Sequence, residues 1–116
     1  MELYDLLEKQ DLDGKEKVVA GTGKEALCRV DLLSAQGERS LLRIRLFTGR
    51  THQIRVQLSS RGFPIIGDVK YGGPKSPQGM LLHAWRLALP GGESFSAPPP
   101  WKEKFAVSEK FLAPEE

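Results

Sequence analysis

The sequence predicts an α+β fold, a mainly antiparallel mixed sheet with one helix packed on it. Three observations predict it. Leu42, Ile44 and Leu46 alternate with Arg43 and Arg45, the period-2 pattern of a half-buried strand. Residues 51–61 then run without Gly or Pro, with Ile54 and Leu58 four apart, and stop at Gly62 with Pro64 two residues on. That is the signature of a helix and its end. Gly-containing turn signals divide the remaining chain into short segments of strand length.

Taken in order, Leu3, Leu6 and Leu7 stand at helical spacing and suggest a short helix or an irregular lead-in. Asp13-Gly14 is a turn, and 17–20 a short strand. Gly21-Thr22-Gly23-Lys24 looks like part of a phosphate-binding loop but lacks the G-x-x-x-x-G-K-[ST] spacing, so it is read as a plain turn. Residues 26–34 alternate, with Cys28, Val30 and Leu32 on one face and Arg29 and Asp31 on the other. Gln36-Gly37-Glu38 turns this strand back into 40–47 as an antiparallel hairpin. After the 51–61 helix come an ordered loop from Phe63 to Pro74, a looser turn to Gly79, strands at 80–89 and 94–97, and Pro98-Pro99-Pro100. A last helix is expected from Trp101 to Phe111.

At 116 residues, with 40% hydrophobic and 28% charged residues, the chain has the size and composition of one globular domain. No apolar run approaches the roughly 20 residues that span a bilayer, so no membrane role is expected. The acidic start, Met1-Glu2-Leu3-Tyr4-Asp5, is unlike a secretory signal. Cys28 is the single cysteine, which excludes an internal disulfide and a cysteine-based metal site and fits a reducing, cytoplasmic setting. Neither a metal nor a cofactor is expected.

The net charge of +2 is unevenly spread. Residues 1–16 hold six acids against Lys9 and Lys15, whereas residues 39–75 hold eight bases against Asp68 alone. A surplus of this kind, mostly arginine, suits a polyanion, and the plainer reading is a solvated basic strand face. Arg50 and His52 fall at or near the start of the helix, with Arg55 one turn further in. Unpaired N–H groups gather at a helix start and favour a phosphate or a carboxylate there. An arginine facing an apolar cleft, as Arg55 does, needs an anionic partner. His52 also suits a side-chain helix cap, Gln53 a structural role and Asp68 a turn beside Gly67. His83, Trp85 and Trp101 suit packing.

Leu42 to Leu58, with Thr48-Gly49-Arg50-Thr51-His52-Gln53-Ile54-Arg55 at its centre, resembles the signature of the RluA family of RNA pseudouridine synthases. Gly62-Phe63-Pro64-Ile65-Ile66-Gly67-Asp68, Tyr71-Gly72 and Leu81-Leu82-His83-Ala84 follow in that family's order. The resemblance implies the later half of the pseudouridine synthase fold, with residues 1–116 as the C-terminal part of the catalytic domain. It also implies an isomerase that converts uridine to pseudouridine in rRNA or tRNA without a cofactor. The family's nucleophilic aspartate lies in a His-Arg-Leu-Asp string that these residues do not contain, and its pocket tyrosine is missing too. The chain alone is therefore expected to be inactive. In the family, the arginine matching Arg55 holds that aspartate. Arg50 is expected to reach RNA and His52 and Gln53 to fix the turn or reach RNA, with Arg43, Arg45, Arg61 and Lys70 as further backbone contacts, and Leu82 to line the uracil pocket. Two other readings stand beside the enzyme: an RNA-binding module without catalysis, and an assembly partner of a separate N-terminal piece. An open sheet edge would also promote self-association.

Overall fold

A computed structural model of the chain describes residues 1–84, 86–88, 91, 94–96, 99–102, 105 and 107. Four strands, β1 (Glu2–Leu12), β2 (Lys15–Ala20), β3 (Lys24–Gln36) and β4 (Arg39–Leu46), form an antiparallel sheet in the order β2-β1-β3-β4. The helix α1 (Gln53–Ser59) packs on one face, followed by a 3₁₀ turn at Val69–Tyr71. A separate hairpin pairs β5 (Arg86–Ala88) with β6 (Ser94–Ser96). The α+β fold is the one expected from sequence.

The first segment corrects the sequence reading: Leu3 to Leu7 belong to an inner strand of the sheet. Leu3, Asp5 and Leu7 share the helix-facing side, as their partners Cys28 and Ala26 do. A carboxylate in the middle of that row hides the period-2 signal and leaves two leucines at a spacing that a helix would also give. Asp13-Gly14 joins β1 to β2 as a two-residue hairpin turn, both residues at positive φ (54° and 76°), the backbone that tight hairpins select. Gly23 makes the next turn possible. At φ 105° it lies so close to β1 that a Cβ there would fall 2.1 Å from the Leu7 carbonyl oxygen. This is the plain turn expected of Gly21-Thr22-Gly23-Lys24.

The β3–β4 hairpin keeps the expected alternation, with Cys28↔Leu46, Val30↔Ile44 and Leu32↔Leu42 on the helix side and Arg29↔Arg45 and Asp31↔Arg43 on the other. Its core is continuous with the helix. Leu3, Cys28, Val30 and Leu58 form one buried cluster flanked by Leu42, Ile44, Ile54 and Ile65, and Leu7, Val18, Ala26, Val56 and Tyr71 form a second. The helix is shorter than 51–61 and ends on Gly62 at φ 86°. There the Phe63 and Gly62 amides donate to the Leu58 and Ser59 carbonyls and satisfy the last turn.

The expected strands at 80–89 and 94–97 do not join the main sheet. Residues 80–84 are irregular, and only 86–88 and 94–96 pair, with each other. Trp85, Leu89, Ala97 and most of the expected 101–111 helix lie outside the described residues. No helix among the described residues is long and apolar enough to cross a membrane.

Candidate functional site

The segment between β4 and α1 is built around a buried glutamine. Gln53 is 3% exposed. Its Oε1 accepts from the Thr48 hydroxyl at 2.7 Å and from the Arg50 amide at 3.0 Å, while its Nε2 donates to the Leu27 carbonyl at 3.2 Å. Thr48 in turn accepts from the Leu27 amide at 2.9 Å. One amide thus locks the 48–53 turn onto β3. These bonds are those of a side chain that fixes the turn, one of the two roles expected of Gln53.

With that turn fixed, Arg50 is held at its backbone, and its Nε donates to the Glu25 carbonyl at 2.7 Å. It remains exposed and is aimed at the start of β3. His52 departs the other way. It caps α1 through a left-handed backbone (φ 51°) and makes no side-chain cap bond, so the expected capping hydrogen bond is absent. Its Nδ1 lies 2.7 Å from the Tyr71 hydroxyl, which accepts from the Val18 amide of β2 at 3.1 Å. The ordering Val18 N–H, Tyr71 O–H, His52 Nδ1 uses each donor once and places the imidazole proton on Nε2. Burial, then the charges of Arg55 and Lys70, hold His52 below the ordinary imidazole pKa, against the opposing pull of Asp68 and Glu16. The ring is therefore kept neutral. It can accept or relay a proton but gives no fixed positive charge for an anion.

Arg55 has the anionic partner that its position demands, and the partner is Asp68. The Arg55 Nε and Nη2 donate to the two carboxylate oxygens at 3.0 and 2.8 Å, and the guanidinium lies 5.0 Å from the centre of the Tyr71 ring. Asp68 is 2% exposed. The hydrogen bonds to Asp68 raise the Arg55 pKa further. Asp68 is thus the carboxylate that Arg55 needs, which corrects its reading as a mere turn former. The need for an anion at Arg55 was the signal that could have found Asp68, since Gly67-Asp68 is the only acid in residues 39–75. Gly67 itself, at φ 90°, packs so closely under the Gly79 carbonyl that a Cβ would fall 2.1 Å from its oxygen, which fixes where Asp68 stands.

The other basic residues are distributed, not gathered. Arg61 donates to Asp5 at 2.8 Å and to the Gln57 carbonyl at 2.9 Å. The Lys70 ammonium donates to the Glu16 carbonyl. Arg43 meets Asp31 at 3.5 Å, and the Arg45 guanidinium lies 5.9 Å from the Phe47 ring centre. The linear surplus of base is thus partly neutralised in space by acids of β1, β3 and the Gly67 loop.

A shallow cleft of about 530 Å³ opens between β2, the end of α1 and the 3₁₀ turn, walled by Val18, Val56, Ser59, Lys70 and Tyr71. Leu82 is not part of its lining and stands 39% exposed. His83 packs edge-on to Trp101, ring centres 6.4 Å apart. Among the described residues no three His, Cys, Asp or Glu side chains converge as metal ligands would. Sequence reasoning missed Tyr71 and Gln57. Both are polar groups made structural by burial, and a local pattern does not show burial.

The comparisons with known proteins converge on one family. Residues 4–60 match the family described as RNA pseudouridylate synthase. An uncharacterized RNA pseudouridine synthase of Helicobacter pylori is 41% identical over 76 residues, 65% of this chain and 31% of that one. Ribosomal large subunit pseudouridine synthase D of Borreliella burgdorferi is 40% identical over 83 residues, 69% of this chain and 26% of that one. The dual-specificity RNA pseudouridine synthase RluA of Vibrio cholerae is 34% identical over 78 residues, 65% of this chain and 32% of that one. The chain spans about a quarter to a third of the length of these relatives.

Proposed function

Residues 4–60 belong to the RNA pseudouridylate synthase family, and from that premise we propose that the chain serves uridine-to-pseudouridine isomerisation in rRNA or tRNA. On this reading, residues 1–116 are the C-terminal part of an RluA-type catalytic domain that works in the cytoplasm. The observation that carries it is the rigid 48–55 turn: Gln53 fixes the backbone from which Arg50 and Arg55 project, in the segment where the family signature lies.

Detaching uracil develops positive charge at the ribose, which a nearby carboxylate stabilises. That carboxylate must be supplied by a His-Arg-Leu-Asp motif absent from these residues, so the 116-residue chain forms no pseudouridine by itself. Arg55 can hold such a group only on the side of its guanidinium left by Asp68, since Nε and Nη2 are already engaged. Arg50, Arg43 and Arg45 supply the RNA-facing positive surface, His52 an uncharged contact beside Arg50, and Leu82 the wall beside the uracil; Arg61 and Lys70 are engaged with Asp5 and the Glu16 carbonyl.

Tritium release from 5-tritiated uridine in RNA tests this. None is expected from the chain alone, and turnover is expected once a segment bearing the His-Arg-Leu-Asp motif is joined to it. Release by the 116 residues alone would overturn the missing-nucleophile reading and make Asp68 the first residue to mutate.

A further inference from the structure

The four-stranded sheet has a second face, opposite α1, and the register places two rows of side chains across it. Tyr4 of β1 pairs with Leu27 of β3, and the Phe47 amide donates to the Leu27 carbonyl at 3.1 Å, so Tyr4, Leu27 and Phe47 form an apolar row. Two residues along, about 7 Å at strand spacing, Arg29 stands directly opposite Arg45. Like charges facing each other across strands destabilise a sheet, so the fold itself gains nothing from this pair. Asp31 neutralises only part of the row, bonding Arg29 Nε at 3.4 Å and Arg43 at 3.5 Å. The two aromatic rings are half open to solvent, Tyr4 at 53% and Phe47 at 50%, and the Arg45 guanidinium lies over Phe47. Tyr4 is tied by its hydroxyl to Glu25, so Phe47 is the ring that presents a face without a carboxylate bonded to it. At the far end of β4, the Arg39 guanidinium lies over the Phe105 ring.

Three other basic residues are engaged elsewhere. Arg55 is spent on Asp68, Arg61 on Asp5, and Lys70 on the Glu16 carbonyl, all away from this face. We propose that the open face of β3 and β4 is a platform for single-stranded RNA, with a base lying on Phe47 and phosphates on Arg29 and Arg45. This rests on the RNA reading above and deepens it. It adds Arg29 and Phe47, which the sequence did not mark, and removes Arg61 and Lys70 from the contact. An aromatic beside an arginine pair is the chemistry that single strands use, since every base offers a π-face and every nucleotide a phosphate.

The test is fluorescence anisotropy with a labelled uridine-rich single strand of about 12 nucleotides, titrated over a series of salt concentrations. Replacing Arg29→Gln together with Arg45→Gln should weaken binding about tenfold or more and lower the salt slope by roughly 1.4, at about 0.7 per phosphate contact. Phe47→Ala and Phe47→Leu should both weaken it about tenfold, and Phe47→Trp should preserve it. Arg61→Gln and Lys70→Gln should stay within about twofold, the range of ordinary surface changes. The urea midpoint of the Arg29/Arg45 variant should equal or exceed the parent's, because a repulsion has been removed. If RNA binds but Arg61→Gln and Lys70→Gln abolish binding while the Arg29/Arg45 variant keeps it, the platform is refuted and the RNA reading survives. If no RNA binds and the Arg29/Arg45 variant instead changes the molecular mass in solution, the face is covered by a second copy and both readings fall.

Discussion

Arg55 and Asp68 face each other as a two-pronged ion pair, Nε and Nη2 on the two carboxylate oxygens at 3.0 and 2.8 Å. The pair ties the middle of α1 to the loop that precedes the 3₁₀ turn. Its aspartate side chain is 1% exposed and its arginine side chain 18%. A buried pair of this kind contributes little net stability when whole, but removing one member leaves a charge unpaired at about 3–5 kcal/mol. Arg55→Ala and Asp68→Ala should each lower the unfolding free energy from urea titration by that amount, and Arg55→Met with Asp68→Leu should cost less than either. Arg55→Lys should not substitute, since a single ammonium cannot make the two parallel bonds. Additive losses in the double variant would show that the pair is not coupled.

The same pair marks where the sequence was legible and where it was not. The β3 and β4 strands were readable because Cys28, Val30 and Ile44 alternate with Arg29, Asp31 and Arg45, and the end of α1 because Gly62 breaks it. The inner strand β1 was hidden because Asp5 occupies a core-facing position, tolerated there by Arg61 and by the Gln57 amide at 3.1 Å. A count of charges along the chain treats residues 39–75 as one basic block. Folding brings Asp5, Asp31 and Asp68 onto Arg61, Arg43 and Arg55, and such long-range pairings leave no local pattern.

His52 should make stability depend on pH. The unfolded chain binds a proton at about 6.5, the ordinary imidazole value, whereas the folded ring is held lower by burial and by Arg55 and Lys70. Asp68 and Glu16 oppose that shift without reversing it, and Lys17 lies 6.0 Å from the centre of the Tyr71 ring beside it. The unfolded state therefore takes up protons first. This contribution is fully present above about pH 6.5 and is lost as pH falls through the folded pKa. Urea midpoints should decline between about pH 7.5 and 5.5, and His52→Gln should flatten that decline. Tyr71→Phe should cost about 1–3 kcal/mol at all pH values, because the Val18 amide loses its acceptor. An unchanged slope in His52→Gln would assign the titration elsewhere.

Cys28 should be chemically silent in the folded protein. Burial pushes its thiol pKa up, Asp5 adds to this, and Arg61 opposes it. The Sγ donates to Gln57 Oε1 at 3.3 Å, within a network in which Gln57 Nε2 reaches the Leu3 and Ala26 carbonyls and the Asp5 carboxylate. A thiol reagent at pH 8 should label the chain only after denaturation, since the thiolate is the reactive form. Gln57→Ala should strip those acceptors of their donor, cost at least about 1–3 kcal/mol, and make Cys28 reactive under native conditions. Fast labelling of the parent would mean that β1 opens on its own.

Self-association is the last expectation, and helix length argues for it. With seven residues, α1 is about 10 Å long, whereas the eight residues of β4 extend about 27 Å. The helix cannot cover the strand it packs beside. Leu32 is 63% exposed and Leu46 50%, and both lie on the helix side of the sheet, as Phe63 at 70% lies just beyond the helix end. Among the described residues no strand lies beside the outer edge of β4 in the sheet, so its backbone groups can pair with another chain. Arg39, Arg43 and Arg45 on that strand resist like-with-like pairing at low salt. Salt screens that repulsion and leaves the apolar contact intact. Light scattering should therefore show a mass above 12.9 kDa that grows with protein concentration and with salt, opposite in sign to the salt dependence of RNA binding. Leu32→Lys with Leu46→Lys should return the chain to a monomer. A single 12.9 kDa species across the micromolar range at high salt would exclude the association.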